Sequence, residues 1–206
     1  MDNLKTDDSK CWKTLSSEYL FRRPWLTARR DTVELPDGRV NDEFYVLEYP
    51  SWINVIAVTA DGRYVMVEQY RHGLGQVGIE LCAGVVEEGE DPLDAARREL
   101  EEETGYRTDE LDFLIACLEE TGYTGGEWEL GCIISGNPSV TNNLTYCYIA
   151  RGVERTSQQH LDANEDIDVR LLTRDELLTL LSTDRMKQAL MAAPLWRYFA
   201  LGLDRR

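Results

Sequence analysis

Apolar and polar positions along the chain predict many short strands and a few helices. Apolar runs at 53–60 and 63–71 flank the turn Asp61-Gly62 and predict a hairpin. Residues 33–40 place Pro-Asp-Gly between two β-prone runs and predict a second hairpin. Four further runs also predict strands: 111–118, 128–134, 144–150 and 167–172.

Residues 91–104 carry the strongest helix signal. Asp91 stands at the predicted N-cap, Pro92 at the first helical position, and Gly105 just beyond the end. Four residues recur at the spacing of one helix face and predict its buried side: Leu93, Ala96, Leu100 and Thr104.

Two more helices are expected near the C-terminus. Residues 173–182 open with Thr173 three residues before Glu176, a capping-box pattern. The last helix is expected over about 184–201, with Pro194 breaking or kinking it. Strands mixed with three helices indicate an α/β or α+β sandwich.

Composition limits the classes of function. The 206 residues carry a net charge of −16, which argues against nucleic-acid binding. A small polyanion remains a possible substrate if divalent cations neutralise it. Five scattered cysteines without a metal-ligand spacing predict reduced thiols in the cytoplasm. No apolar run approaches the ~18 residues that span a bilayer, so no membrane partner is expected.

Three carboxylates lie within one turn of the first predicted helix. Glu99, Glu102 and Glu103 stand at i, i+3 and i+4, where like charges repel. Mg²⁺ or Mn²⁺ would turn this repulsion into coordination, because these hard cations prefer oxygen ligands. Arg98 is expected to brace one carboxylate. A solvated acidic helix face is the alternative interpretation of the glutamates taken alone.

The surrounding spacing favours the metal site. The stretch 84–106 reads Gly84-x5-Glu90-x7-Arg98-Glu-Leu-x-Glu-Glu-x-Gly-Tyr106. This resembles the Nudix box of the Nudix hydrolases at every position except the last, where Tyr106 replaces an aliphatic residue. The resemblance implies an α/β fold: a Nudix-fold α/β/α sandwich with an N-terminal β-rich extension.

The pentapeptide EETGY occurs at 102–106 and again at 119–123. The second copy has Ile115 and Ala116 where the box requires Arg and Glu, so the first copy is predicted to carry the metal site. Related enzymes resembling ADP-ribose pyrophosphatases have a proline about fifteen residues beyond the box. Pro138 lies at that distance from the second copy and is the matching candidate for a substrate contact. The register favours a local duplication, with an insertion around 102–118, over coincidence.

The same resemblance implies further site residues before the box. Arg71 matches a phosphate-binding arginine, Glu80 an acid that supports the metal site, and the Ala83 carbonyl a backbone metal ligand. A surface ion pair is the alternative for Arg71. Cys82 occupies a position where these enzymes usually have proline.

Two regions outside the box complete the implied site. Residues 161–169 resemble a late acidic loop, in which Glu165 is the first candidate for general base and metal ligand and Asp162 the second. A solvated acidic turn is the alternative. Residues 1–49 resemble a dimerising β extension, possibly swapped, whose Trp25 would stack on the nucleobase, with Trp12 as the second candidate. A tryptophan in the core or at the dimer interface is an equal alternative.

The resemblance implies a homodimeric hydrolase with its catalytic domain over 50–206. Its expected substrate is a nucleoside diphosphate linked to another moiety, foremost ADP-ribose, cleaved with Mg²⁺ or Mn²⁺. GDP-mannose is the nearest alternative, and oxidised nucleoside triphosphates rank third. A sensor that binds a sugar nucleotide without cleaving it, or a pure interaction module, would belong to another class.

Overall fold

The computed structural model of this chain describes residues 8–23, 25–108 and 128–205. The chain divides into two compact units. One consists of the residues up to Tyr49 with Asn137–Asn143, and the other of Pro50–Gly136 with Leu144–Arg206. The predicted strand at 111–118 and most of the proposed insertion at 102–118 lie outside the described residues.

The first unit is a three-stranded antiparallel sheet in the order β1-β2-β3. Its strands are β1 (Lys13–Arg23), β2 (Leu26–Glu34) and β3 (Val40–Glu48). The predicted hairpin at 33–40 is confirmed as the β2–β3 connection. Gly38 adopts a φ of +85°, and the Leu35 N–H donates to the Arg39 carbonyl over 2.8 Å. A glycine suits this turn because L side chains rarely adopt a positive φ.

The second unit is built on a mixed sheet. Its strands are β4 (Trp52–Thr59), β5 (Tyr64–Arg71), β6 (Gln76–Glu80), β7 (Cys82–Val85), β8 (Tyr106–Arg107), β9 (Trp128–Ile134), β10 (Thr145–Arg155) and β11 (Ile167–Leu172). β4 and β10 pair in parallel, and the other pairs are antiparallel. The predicted β4–β5 hairpin is therefore confirmed.

Helices cover both faces of this sheet. The helices are α1 (Pro92–Thr104), α2 (Arg174–Ser182) and α3 (Ala189–Ala200). Because side chains alternate along a strand, Val55 of β4 packs in one core with Leu100 of α1, whereas Ile56 packs in a second core with Leu177 and Leu195 of α2 and α3. The expected α/β/α sandwich is confirmed. No helix in the described ranges is long and apolar enough to cross a membrane.

The caps predicted for α1 and α2 are present. Asp91 accepts the Leu93 N–H over 2.8 Å, and Gly105 ends α1 with a φ of +74°. Thr173 and Glu176 form the reciprocal capping box of α2. All four residues predicted for the inner face of α1 are buried: Leu93, Ala96, Leu100 and Thr104.

The prediction for the last helix was wrong at its start, because α3 begins at Ala189 instead of 184. Of the two effects expected of Pro194, a break is excluded, since the helix continues through it to Ala200. A proline inside a helix frees the carbonyl four residues earlier, here that of Leu190. The fully buried Asn54 of β4 donates its side-chain amide to this carbonyl over 2.7 Å. The neighbouring strand therefore supplies the hydrogen bond that the proline removes.

Asn54→Leu is expected to lower the free energy of unfolding by about 1–3 kcal/mol, because it leaves the partly buried Leu190 carbonyl without a donor. In a Pro194→Ala background, the N–H of residue 194 can donate to the Leu190 carbonyl. Asn54→Leu should therefore lower the free energy of unfolding by less in this background. Urea unfolding of the four proteins measures the difference. If Asn54→Leu lowered the free energy of unfolding equally in both backgrounds, Asn54 would not be replacing the hydrogen bond that Pro194 removes.

Candidate functional site

The acidic side of α1 packs directly on the backbone of β7. A Cβ built on Gly84 would lie only 1.9 Å from the Glu99 carboxyl carbon. Glycine at this position therefore lets the carboxylate approach the strand, and any larger residue would push it away. The spacing between Gly84 and Glu99 noted in the sequence thus has a steric cause.

Glu103 is the most deeply buried carboxylate of the helix, at 3% exposure. Its Oε2 accepts the Ala83 N–H over 3.0 Å, and the Cys82 thiol donates a second hydrogen bond to the carboxylate. Burial raises the pKa of Glu103 to about 8 despite these two bonds, and the charges of Glu99 and Glu165 raise it further. Without a cation, the folded protein therefore keeps Glu103 protonated at neutral pH, because water solvates the charged form poorly there.

Arg98 braces more carboxylates than the sequence predicted. Its guanidinium donates to both oxygens of Glu90 (2.9 and 3.0 Å), to Glu99 (2.8 Å) and to Glu102 (3.1 Å). The hydrogen bonds with Arg98 lower the pKa of Glu90. A further bond to the Val85 carbonyl, 3.1 Å long, ties the end of β7 to the helix. One arginine therefore connects the strand, the helix and the loop between them.

Glu99 and Glu102 differ in exposure, their side chains being 12% and 44% accessible. Burial raises the pKa of Glu99, while Arg98 opposes the change and the negative charges of Glu102 and Glu165 add to it. Among the described residues, no three Asp, Glu, His or Cys side chains converge closely enough to hold a cation as they stand. Arg98 and the Ala83 N–H hold the carboxylates in their present rotamers.

The donor chemistry nevertheless fits a hard divalent cation. Glu99 and Glu103 are poorly hydrated carboxylates whose charges repel each other and that of Glu165. Such oxygens gain most from a cation that neutralises them. The backbone of α1 places the three helix glutamates within one turn, which brings their side chains to one side of the helix.

Glu165 and Asp162 form a tight turn before β11. The Asp162 N–H donates to the Glu165 carboxylate and the Glu165 N–H to the Asp162 carbonyl, both over 2.9 Å. Glu165 acts electrostatically on Glu99 and Glu103, which brings it into the acidic cluster. Both Asp162 and Glu165 are exposed.

Arg71 and Glu80 form a partly buried ion pair on the β5–β6 hairpin. The Nε and Nη2 atoms of Arg71 donate to the same Glu80 oxygen over 2.9 and 2.6 Å. Gln188, at the N-cap of α3, donates to both Glu80 oxygens over 3.1 and 2.7 Å when its side-chain amide is turned so that the nitrogen faces them. Three donor groups thus saturate Glu80, whose side chain is only 6% exposed.

Trp25 and Pro138 belong to the first unit. Trp25 is the most exposed large apolar residue in the described chain, at 74%. Pro138 follows Asn137, whose carbonyl accepts the Thr141 N–H over 2.9 Å in a turn. Their assignment to the substrate stays a prediction.

Sequence reasoning missed two residues that touch Glu103. The Gln159 side chain donates to the Glu103 carbonyl over 2.7 Å and to the Ile167 carbonyl over 2.9 Å, which joins the end of α1 to β11. Cys82 was noted only as a departure from the family pattern, yet its thiol contacts the Glu103 carboxylate. Gln159 carries no local signal, because its partners lie 56 and 8 residues away.

The fold and the sequence pattern on α1 are those of a pyrophosphohydrolase. A family model described as "NUDIX domain" matches residues 49–193. A second family model, described as "Nucleoside diphosphate sugar hydrolase N-terminal domain", matches residues 12–47. Since the first match covers more than half of the chain, the protein belongs to the Nudix family.

Similar proteins extend over most of the chain. A "Methanol dehydrogenase activator" from Bacillus methanolicus is 33% identical, over 84% of this chain and 85% of its own length. An "ADP-ribose pyrophosphatase" from Bacillus subtilis is 29% identical, over 86% of each protein. A crystal structure described as an ADP compounds hydrolase has a TM-score of 0.72 at 16% identity, covering 92% of this chain and 93% of its own, and supports the fold.

Proposed function

We propose that the protein hydrolyses the diphosphate of a nucleoside diphosphate joined to another moiety. ADP-ribose is the leading substrate, with AMP and ribose 5-phosphate as products. The observation that carries the proposal is the cluster of poorly solvated carboxylates at Glu99 and Glu103, seated against β7 beside Gly84. The similarity to the Bacillus subtilis ADP-ribose pyrophosphatase supports this substrate class.

Mg²⁺ or Mn²⁺ is the proposed cofactor, with ligands from the acidic cluster and the β7 backbone: Glu99, Glu102, Glu103, Glu165 and the Ala83 carbonyl. When bound, the cation would offset phosphate charge and lower the pKa of a coordinated water. Glu165 is the proposed general base because it is exposed and lies within electrostatic reach of both buried glutamates. Asp162 is the second candidate.

Arg71 is proposed to bind the substrate diphosphate. The ion pair with Glu80 holds its guanidinium at one edge, and no hydrogen bond joins Nη1 to the residues that the structure describes, so this atom can donate to a phosphate oxygen. The side chain is 31% exposed, compatible with contact to a ligand. A planar guanidinium suits this role because it can serve a carboxylate and a phosphate at once.

Arg71→Lys is expected to raise KM for ADP-ribose about tenfold with a smaller change in kcat, because an ammonium cannot donate along both edges. Steady-state kinetics on purified protein measures both constants. Arg63→Lys is the matched control, since Arg63 pairs with the exposed Asp61 over 3.5 Å, outside the proposed site. Equal KM values for the two variants would remove Arg71 from substrate binding.

Release of AMP from ADP-ribose, with and without Mg²⁺, tests the proposed function. Mg²⁺-dependent turnover is the expected result. Turnover of GDP-mannose without turnover of ADP-ribose would preserve the chemistry and replace the substrate. If neither ADP-ribose nor GDP-mannose were hydrolysed but calorimetry showed binding of one of them, the protein would be a sensor and not an enzyme.

A regulatory role is the second candidate, because the relative from Bacillus methanolicus is named as an activator of another enzyme. An activator that works by contact alone should be unaffected by Glu103→Gln, since this carboxylate is 3% exposed. If Glu103→Gln lost both hydrolysis and the activation of a partner enzyme, the activation would depend on hydrolysis.

We further propose that the protein acts in the cytoplasm as a homodimer, with residues 1–49 as the dimerising extension. All eleven residues of β1 (Lys13–Arg23) are exposed. Exposed apolar residues in this strand include Leu15, Tyr19 and Phe21. An edge strand of this kind favours association with another chain.

A further inference from the structure

Cys132 and Cys147 lie opposite each other on adjacent strands. β9 and β10 are antiparallel, and the two cysteines are direct partners in the register. Directly opposed residues of an antiparallel pair have Cα atoms about 4.5 or 5.5 Å apart, depending on the hydrogen-bonding pattern. Both separations fall within the range of about 4.4–6.8 Å that a disulfide spans. A bridge at this position therefore requires no large backbone movement.

Both side chains face the same helix. Cys147 is fully buried in the core formed with α2 and α3, and Cys132, partly buried, packs against that core. The two cysteines line one crevice with Pro194 and Arg197 of α3. Cys132 is therefore the partly exposed member of the pair, and Cys147 is the buried one.

The two thiols differ in acidity. The hydrogen bond with Cys147 lowers the pKa of Cys132 and outweighs its partial burial, with a further contribution from the positive charge of Arg197. Burial raises the pKa of Cys147. A more acidic, partly exposed thiol next to a buried partner is the arrangement of a reacting and a resolving cysteine.

We propose that Cys132 and Cys147 form an oxidation site that a hydroperoxide converts reversibly into an intramolecular disulfide. The Cys132 thiolate attacks a peroxide oxygen, which forms an S–O bond and breaks the O–O bond. The departing hydroxide or alkoxide takes up a proton. The Cys147 sulfur then attacks the sulfenic sulfur; the S–S bond forms, the S–O bond breaks, and the thiol proton leaves with the hydroxide as water.

The other described cysteines lack this arrangement. Cys82 is fully buried, burial raises its pKa well above the usual range, and its thiol already contacts Glu103. Cys11 is exposed but lies in the first unit, without a cysteine opposite it among the described residues. Oxidation is therefore expected to select the β9–β10 pair. The bridge closes a loop between residues 132 and 147, which favours the folded chain.

The test uses the full chain carrying Cys11→Ser and Cys117→Ser, so that three cysteines remain. After treatment with hydrogen peroxide and alkylation of free thiols under denaturing conditions, the intact mass should show one alkylated cysteine and the loss of two hydrogens. Chymotrypsin cuts between the pair, after Leu144 and Tyr146. It should therefore release two peptides joined through Cys132 and Cys147, which dithiothreitol separates.

Two comparisons make the result decisive. Adding Cys132→Ser should leave Cys147 alkylated after the same treatment, because Cys147 lacks its reacting partner. The oxidised parent should also melt at a higher temperature than its reduced form. Oxidation of Cys132 to sulfinic acid without a bridge, a bridge that includes Cys82, or three unreacted thiols would each overturn the proposal. The assay needs no substrate, so its result does not depend on whether the proposed hydrolysis is correct.

Discussion

Glu103→Gln is expected to hydrolyse ADP-ribose at least about a hundredfold more slowly than the wild type at saturating Mg²⁺, a loss of about 2.7 kcal/mol of transition-state stabilisation. The amide keeps an oxygen that accepts the Ala83 N–H, now 3.0 Å from the carboxylate, so the fold should be retained. It cannot carry the negative charge that would hold a cation.

Glu101→Gln is the matched control, because Glu101 occupies the same helix without a role in the proposed site. The control should keep wild-type kcat and the same Mg²⁺ dependence. Steady-state release of AMP and isothermal titration with Mn²⁺ compare the variants. Full activity in Glu103→Gln would remove Glu103 from the metal site even if the proposed hydrolysis were correct.

The same variant has an expected effect on stability in the presence of a chelator. Burial raises the pKa of Glu103 to about 8, from its ordinary value of 4.5. Between these two pH values the folded state retains a proton that the unfolded chain releases, so this group's contribution to stability falls as the pH rises. Glu103→Gln removes that dependence.

Urea unfolding at pH 4.5 and at pH 8 measures the change. Relative to the wild type, the glutamine variant should gain stability at the higher pH. A difference between the two proteins that is constant across the pH range would contradict the burial of a neutral carboxyl group. Glu101→Gln again serves as the control, because it leaves Glu103 intact.

Gly105→Ala is expected to lower the free energy of unfolding by about 2–5 kcal/mol. Gly105 adopts a φ of +74°, and an added Cβ would lie 2.3 Å from the Ser157 carbonyl oxygen. The Gly105 carbonyl also accepts the Thr156 N–H over 2.9 Å. The substitution therefore strains the backbone and pushes apart two segments that are hydrogen-bonded to each other.

Gly62→Ala separates these two causes. Gly62 has a φ of +79°, and no heavy atom lies within 4 Å of the position its Cβ would take. This variant should lose only the conformational part, about 1–2 kcal/mol. Urea unfolding of both variants gives the comparison. Equal losses would show that the contact with Ser157 adds nothing.

Local sequence determined the elements that carry the proposed chemistry. The caps of α1, the periodicity of its buried face and the positions of Glu99, Glu102 and Glu103 all follow from interactions within about four residues. The two hairpins were predicted for the same reason, since Gly38 and Gly62 supply the positive φ that their turns need. Such features depend on few neighbours and can be recognised in a linear pattern.

Long-range packing decided where sequence reasoning failed. Pro194 was expected to break or kink its helix, and the approach of Asn54 from β4 shows why α3 continues through it. Gln188 reaches Glu80 from the N-cap of α3, and Gln159 reaches the Glu103 carbonyl from a loop. Contacts between residues so far apart leave no periodic signal in a single sequence.

By itself the sequence determined the class of fold, the acidic helix and its family pattern, because these rest on local periodicity and fixed spacing. Tertiary structure decided the hydrogen-bond partners and the pKa values of these carboxylates. Arg98 joins Glu90, Glu99 and Glu102, and burial against β7 sets the pKa of Glu103. Desolvation and the field of neighbouring charges depend on what surrounds a group in space, and that environment exists only once the chain has folded.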